Sequence, residues 1–185
     1  ENVFDPQAGG ENAVFTVNHF ISYDEDPSIS DTIYSQQVFN NYIAYDDGTA
    51  ERSYGASADN TKMAVQFRAY QPDTLRGVQI YFNRVQANYN DRYFHIGIWN
   101  DNNGKPGSLI YKQENLRPYI PDLNDFHTYI FQDTILRLSV NNFHVSVTQT
   151  TFDNLNIGFD RNNNSKSKTF YNTSGTWLPS PFDGS

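Results

Sequence analysis

The sequence predicts an all-β fold, an antiparallel two-sheet sandwich of jelly-roll type. Three observations carry that reading. Short apolar or alternating runs recur along the chain, separated by Asn, Asp, Gly and Pro clusters, which is the pattern of strands and turns. No stretch has the periodicity of an amphipathic helix. Aromatic residues make up 16% of the chain, and such side chains favour strands and supply the large buried area that a core between sheets needs.

Taken in order, residues 1–12 read as a linker or N-terminal extension, and Ala13 to Tyr23 as the first strand. The acidic stretch Asp24 to Asp31 reads as a surface loop, and Val38 to Ala44 as the next strand. Met63 to Ala69 follows, then Leu75 to Asn83, where Val78, Ile80 and Phe82 alternate with Gln79 and Tyr81. Tyr93 to Trp99 is the clearest strand. Phe94, Ile96 and Ile98 point one way; His95, Gly97 and Trp99 point the other. Asn100 to Gly107 reads as a long polar turn in which Gly104 and Gly107 are free to take positive φ. Ser108 to Lys112, Thr128 to Phe131, Ile135 to Leu138, Phe143 to Thr150, Leu155 to Phe159 and Lys168 to Tyr171 complete the strands. Between them lie a proline-bearing crossover, Pro118 to Asp125, and a solvated loop, Arg161 to Lys168. Residues 13–185 therefore read as a single sandwich domain. Its end, LPSPFDGS, stops in an Asp183-Gly184 turn from which a strand normally starts, so the expectation is a domain lacking its final strand. Such an edge invites a strand from a partner.

Composition removes several function classes. There are 13 Lys+Arg against 21 Asp+Glu, a net charge of -8, and an acidic domain repels phosphate backbones, so no nucleic acid partner is expected. Cysteine is absent, which excludes a zinc-thiolate site, a disulfide framework and a cysteine nucleophile. No apolar run approaches the roughly 20 residues of a membrane helix, so no membrane insertion is expected. A chain that begins at Glu1 without a charged-then-apolar leader reads as one whose signal peptide has been removed.

The blocks AYDDGTAERSYG, DTLRGVQIYFN, FHIGIWNDNNGKPGSLIY, VTQTTFDNLNIGFDRNNN, NTSGTW and FDGS, in that order, resemble a β-sandwich module of type IX secretion cargo. Such modules lie late in long exported proteins of Gram-negative bacteria, often just before the C-terminal sorting domain. The resemblance spans Val38 to Ser185. It implies a secreted or cell-surface location, with neighbouring domains of the parent protein or the secretion machinery as partners. It implies a further apolar strand after the Asp-Gly-Ser turn, and no particular chemistry. Ser146 stands where members of that family often carry glycine, at a position expected to face outward.

Several residues are candidates for a site. Asp46, Asp47 and Glu51 gather hard oxygen ligands around Gly48, which suits a structural calcium; the same residues also read as an ordinary turn bonded to its own backbone. The spacing is not that of an EF-hand. His19, His95, His127 and His144 form no i, i+4 pair, so they read as solvated strand histidines rather than zinc ligands. There is no G-x-S-x-G elbow, and no carboxylate lies mid-strand in an apolar setting that would make it a general acid. The chain is therefore read as not an enzyme. Tyr81, His95 and Trp99 are expected to share one sheet face, with Gln79, His144 and Thr148 nearby, and aromatic faces with polar neighbours hold sugar rings. Burial of that face under a second sheet is the competing reading. Asp-Thr-aliphatic triplets at Thr32, Thr74 and Thr134 match the short O-glycosylation signal of bacteria with this secretion route. The expected function is a non-catalytic structural or interaction module, with a carbohydrate-binding module as the alternative.

Overall fold

The computed structural model describes residues 13–23, 26–39, 41–56, 58–84, 91–120, 125–132 and 134–184. The expected linker, residues 1–12, and the terminal Ser185 lie outside them. The described chain is all-β, with fourteen strands and one 3-10 turn, Lys166–Lys168. It divides into two compact units, Glu1–Ala44 and Tyr45–Ser185, a boundary some thirty residues later than the start of the expected sandwich.

The described strands of the first unit form one antiparallel hairpin, β1 (Ala13–Tyr23) with β2 (Asp26–Phe39). The acidic stretch expected to be a loop is mostly strand: Asp31, Ser30 and Asp26 pair with Ile21, Ser22 and Tyr23 of β1, with a register shift between the last two pairs. Ladder pairing with a strongly β-prone partner strand overrides the poor β-propensity of Asp at positions 26 and 31. Residues 41–44, expected as strand, carry no ladder.

The second unit contains β3 (Arg52–Tyr54), β4 (Lys62–Arg68), β5 (Asp73–Leu75), β6 (Gly77–Ile80), β7 (Phe94–Asn102), β8 (Lys105–Leu116), β9 (His127–Ile130), β10 (Leu136–Leu138), β11 (Asn142–Gln149), β12 (Ile157–Phe159), β13 (Thr169–Asn172) and β14 (Leu178–Pro179). Six of them form one sheet in the order β14-β13-β4-β11-β7-β8. The others pair as β12–β3, β6–β9 and β10–β5, all antiparallel. Gly158 N donates to Tyr81 O at 2.9 Å and Asn83 N to Asn156 O at 2.8 Å, which sets β12 beside the chain leaving β6.

The expected long turn after Trp99 is a correction. β7 and β8 run on to Asn102 and Lys105, leaving Asn103 and Gly104 as a two-residue turn with φ of 52° and 82°. An Asn-Gly pair takes two successive positive φ values readily, and that handedness suits the twist of the strands it joins.

One apolar cluster joins Phe94, Ile96, Ile98, Phe143 and Val147 of the six-stranded sheet to Ile80, Phe82, Tyr129, Phe131 and Leu155 of the shorter ladders and their flanks. Phe94 meets Phe82 at 5.2 Å and Tyr129 edge-on at 5.2 Å. The alternation in Tyr93 to Trp99 places those apolar residues on that face. Its reverse face carries His95, Gly97 and Trp99.

Candidate functional site

Three carboxylates, Asp47, Glu51 and Asp160, bring one oxygen each within 4.8 Å of one another. The β12–β3 ladder makes this meeting: Phe159 pairs with Arg52, so Asp160 just after β12 lies beside Glu51 just before β3. Asp160 is 2% exposed, and its oxygens accept Asn162 N at 2.6 Å, Asn163 N at 3.2 Å, Asp47 N at 3.1 Å and Asn163 Nδ2 at 3.0 Å. Asn162 Nδ2 donates to both Asp47 Oδ2 (2.9 Å) and Glu51 Oε1 (3.2 Å), and Arg161 N donates to Glu51 Oε2 at 2.8 Å. The Thr49 hydroxyl lies 2.7 Å from Asp47 Oδ1 and 2.9 Å from Glu51 Oε1.

Of the expected trio, Asp47 and Glu51 come together, whereas Asp46 turns away and accepts Gly48 N at 3.1 Å. Asp160 takes its place. Its sequence signal was a carboxylate at the end of the apolar run LNIGFD, distant in sequence from the acidic turn. The oxygens are hard ligands of the kind calcium takes. Their lone pairs here accept N–H and O–H donors, so hydrogen bonds offset the mutual repulsion of the carboxylates and tie residues 46–51 to residues 160–163. Burial pushes the Asp160 carboxyl up, but the bonds from Asn163, Asn162 and Asp47 outweigh it and hold it below the ordinary value. Bonds from Thr49 and Asn162 do the same for Asp47.

A second polar cluster lies on the reverse face of the six-stranded sheet. The register sets Ala64, Ser146 and Gly97 side by side on β4, β11 and β7. Small side chains there leave room for the Trp99 indole to lie back over Gly97 and donate to Ser146 Oγ at 2.8 Å. Trp177 meets Trp99 edge-on at 5.4 Å and packs with Phe170 and Ala64. Ser146 is therefore 1% exposed, not outward-facing as expected, because the two tryptophans cover this part of the sheet.

His144 corrects the expectation of solvated histidines: it is 0% exposed. Its Nε2 lies 2.8 Å from Asp101 Oδ1, and its ring meets Phe170 edge-on at 5.5 Å. Gln66 Nε2 donates to the same Asp101 oxygen at 3.0 Å, and Gly104 N to the other at 2.9 Å. Asp101 thus joins the β7–β8 turn to β11 and β4. His144 Nδ1 is buried without a hydrogen-bond partner among the described residues. Burial pulls the imidazole below its ordinary value, against the opposing effect of Asp101. Gln149, which the sequence did not single out, is also buried; its amide donates to Ala56 O and Thr151 O and accepts Leu155 N.

The expected aromatic platform does not assemble as one face. Trp99 and His95 share the reverse face of β7, but Tyr81 follows β6, whose ladder partner is β9. Tyr81 is 8% exposed and packs on Phe126 at 5.7 Å. His95 is half-buried, and its Nδ1 accepts Asn115 N at 3.1 Å. Of the three triplet threonines, Thr74 and Thr134 are exposed and Thr32 is half-buried. Asp31 and Asp73 each fold a carboxylate oxygen onto the N–H of the following threonine, at 2.8 and 2.6 Å. Asp133 lies outside the described residues.

Compared with known protein families, curated proteins and solved structures, the chain matches none.

Proposed function

We propose that this chain is a non-catalytic structural or interaction module of a larger protein exported by type IX secretion to the surface of a Gram-negative bacterium. In this reading its second unit is a two-sheet antiparallel sandwich of jelly-roll type, with the shorter ladders forming the sheet that faces the six-stranded one. The apolar cluster shared between them supports that layering. The sequence blocks that resemble type IX cargo modules support the location, and neighbouring domains of the parent protein or the secretion machinery are the expected partners. The exposed Thr74 and Thr134 support glycosylation in the native host.

The observation that carries the non-catalytic reading is the use made of the buried polar groups. His144 and Asp101, the pair that acid–base chemistry would draw on, are joined to each other, with His144 fully buried against Phe170. Asp160 is committed to backbone N–H groups from two loops. A general acid or base must reach a substrate atom within hydrogen-bonding distance, and both groups are instead joining strands and turns.

The test is twofold. In a type IX-secreting host, removing residues 45–185 from the parent, with its sorting domain retained, lowers the amount of intact parent recovered at the cell surface. The purified chain, offered chromogenic esters, glycosides and casein, is expected to turn over none. Turnover that disappears in His144→Gln or Asp160→Asn would overturn the proposal.

A further inference from the structure

Among the described residues β1 has β2 as its one ladder partner, and the chemistry of its other edge differs sharply from that of the outer edge of β2. β1 spans 11 residues, AVFTVNHFISY, without an Asp, Glu, Lys or Arg. Its ladder with β2 is regular from Ala13 to Ser22, with a register shift only at Ser22/Tyr23. Lysines, prolines and bulges are the usual means of blunting a sheet edge, and β1 has none of them over that length. β2 carries Asp26, Pro27 and Asp31, so its edge is charged and interrupted. Apolar side chains stand exposed on both faces of the ribbon: Val17, Ile21 and Ile33 on one, Val14, Phe20 and Tyr34 on the other, with Phe20 76% exposed. A two-stranded ribbon is marginally stable alone, and three or more strands are needed for an independent sheet.

We propose that β1 is a self-pairing edge: two copies of this chain join β1 to β1, antiparallel, about a two-fold axis at Asn18. The order of residues around Asn18 is what selects a second copy as the occupant. That axis sets Phe15 opposite Ile21 of the other copy, Thr16 opposite Phe20, Val17 opposite His19, and the two Asn18 amides opposite each other. Opposed residues in an antiparallel pair share a face, so the apolar side chains extend into two continuous faces across four strands, β2-β1-β1-β2. The charges agree. With strands about 4.8 Å apart, the two acidic β2 strands stand about 14 Å from each other, beyond the roughly 8 Å screening length at physiological salt. Pairing through β2 would instead bring Asp26 and Asp31 of both copies into one ladder. This inference rests on the hairpin alone and stands apart from the function proposed above.

Sedimentation equilibrium of the whole chain across micromolar concentrations tests it, and a reversible dimer is expected. Asn18→Lys places two ammonium groups opposite each other and is expected to weaken the dimer about tenfold or more. Asn18→Asp does the same, and an equimolar mixture of the two variants associates again. Gln36→Lys, with the same charge change on β2, leaves association as in the unaltered chain. The near-ultraviolet circular dichroism of the Trp99–Trp177 pair, which belongs to the other unit, checks folding separately. A chain that stays monomeric overturns the proposal. So does a dimer that Asn18→Lys leaves intact, one that Gln36→Lys weakens equally, or a mixture that fails to associate.

Discussion

The Trp99 indole N–H donates to the Ser146 hydroxyl at 2.8 Å, a side-chain bond added to the β7–β11 ladder beside Trp177. The geometry depends on Gly97. A Cβ there would stand 2.8 Å from Ser146 Oγ and 2.9 Å from Trp99 Nε1. Gly97→Ala is expected to destabilise the fold by about 1–3 kcal/mol, the ordinary range for overpacking. Ser146→Ala removes the acceptor and leaves a covered indole N–H, at about 1–3 kcal/mol. Urea unfolding measures both, and the near-ultraviolet dichroism of the tryptophan pair should weaken in Gly97→Ala. Unchanged midpoints would show that the indole is not held there.

Asp160 joins the loop at residues 46–51 to the loop at 160–163. Asp160→Ala leaves the backbone N–H groups of Asp47, Asn162 and Asn163 without their acceptor, and a loss of about 2–4 kcal/mol is expected. Because its carboxyl is held below the ordinary value of 3.8, this stability is complete above that pH and disappears as the pH falls through the lower folded-state value. Since the cluster is closed by N–H and O–H donors, a chelator is expected to leave the melting temperature unchanged. A melting temperature that falls with chelator and rises with calcium would show that an ion displaces Thr49 and Asn162 from Asp47 and Glu51.

Much of the fold was legible in the sequence, and the parts that were not have physical reasons. β4, β7 and β11 follow from their apolar runs, because each buries side chains in the core and register is then strongly specified, whereas β1 was legible from its β-branched and aromatic content alone, with its side chains exposed. The β7–β8 hairpin was misjudged in length because polar residues at a turn look alike; the informative signal was the Asn103-Gly104 pair itself. β2 was missed where its sequence is acidic, since a hairpin in its own unit lacks the one-sided burial that enforces alternation. In the carboxylate cluster, Asp47 and Glu51 are local in sequence and were visible. Asp160 and Asn162 arrive through the β12–β3 ladder, and no local pattern encodes which strand pairs with which. Ser146 and His144 were placed at the surface because a polar residue on the reverse side of a strand reads as exposed. Nothing local to β11 announces that Trp177 and Phe170 will cover it.

The core makes a simpler prediction. Phe94 is fully buried between Phe82 and Tyr129. Phe94→Ala is expected to cost about 3–5 kcal/mol, through lost transfer energy and the cavity left behind. Phe152, 71% exposed, is the control: Phe152→Ala should fall within about 0.5 kcal/mol of the unaltered chain. Equal effects at the two positions would contradict the placement of the core.

His144 predicts a distinct pH dependence. The folded chain holds its imidazole below the ordinary value of 6.5, with burial the larger cause and Asp101 opposing it. The unfolded chain therefore binds a proton more readily, and stability falls as the pH drops from 6.5 toward the folded-state value. Above 6.5 the contribution is complete. The structural reason is Nδ1: with Nε2 beside Asp101, protonation adds a buried N–H donor that has no acceptor among the described residues. The charged groups on the surrounding elements are Asp101 and His95 on β7, Lys62 and Arg68 on β4, Lys105, Lys112 and Glu114 on β8, and Lys166 and Lys168 before β13. Of these, Asp101 is the one bonded to the imidazole. His95 is pulled down by its own burial and titrates in the same direction, so a single pH series on the unaltered chain mixes the two. The measurement is therefore a difference. Urea midpoints are compared between about pH 7.5 and about pH 5 for the unaltered chain and for His144→Gln, which keeps a donor for Asp101 but cannot take up a proton. The unaltered chain is expected to lose more stability across that interval than the variant does. Equal losses in the two would place the titration on His95 or elsewhere and remove His144 as the cause.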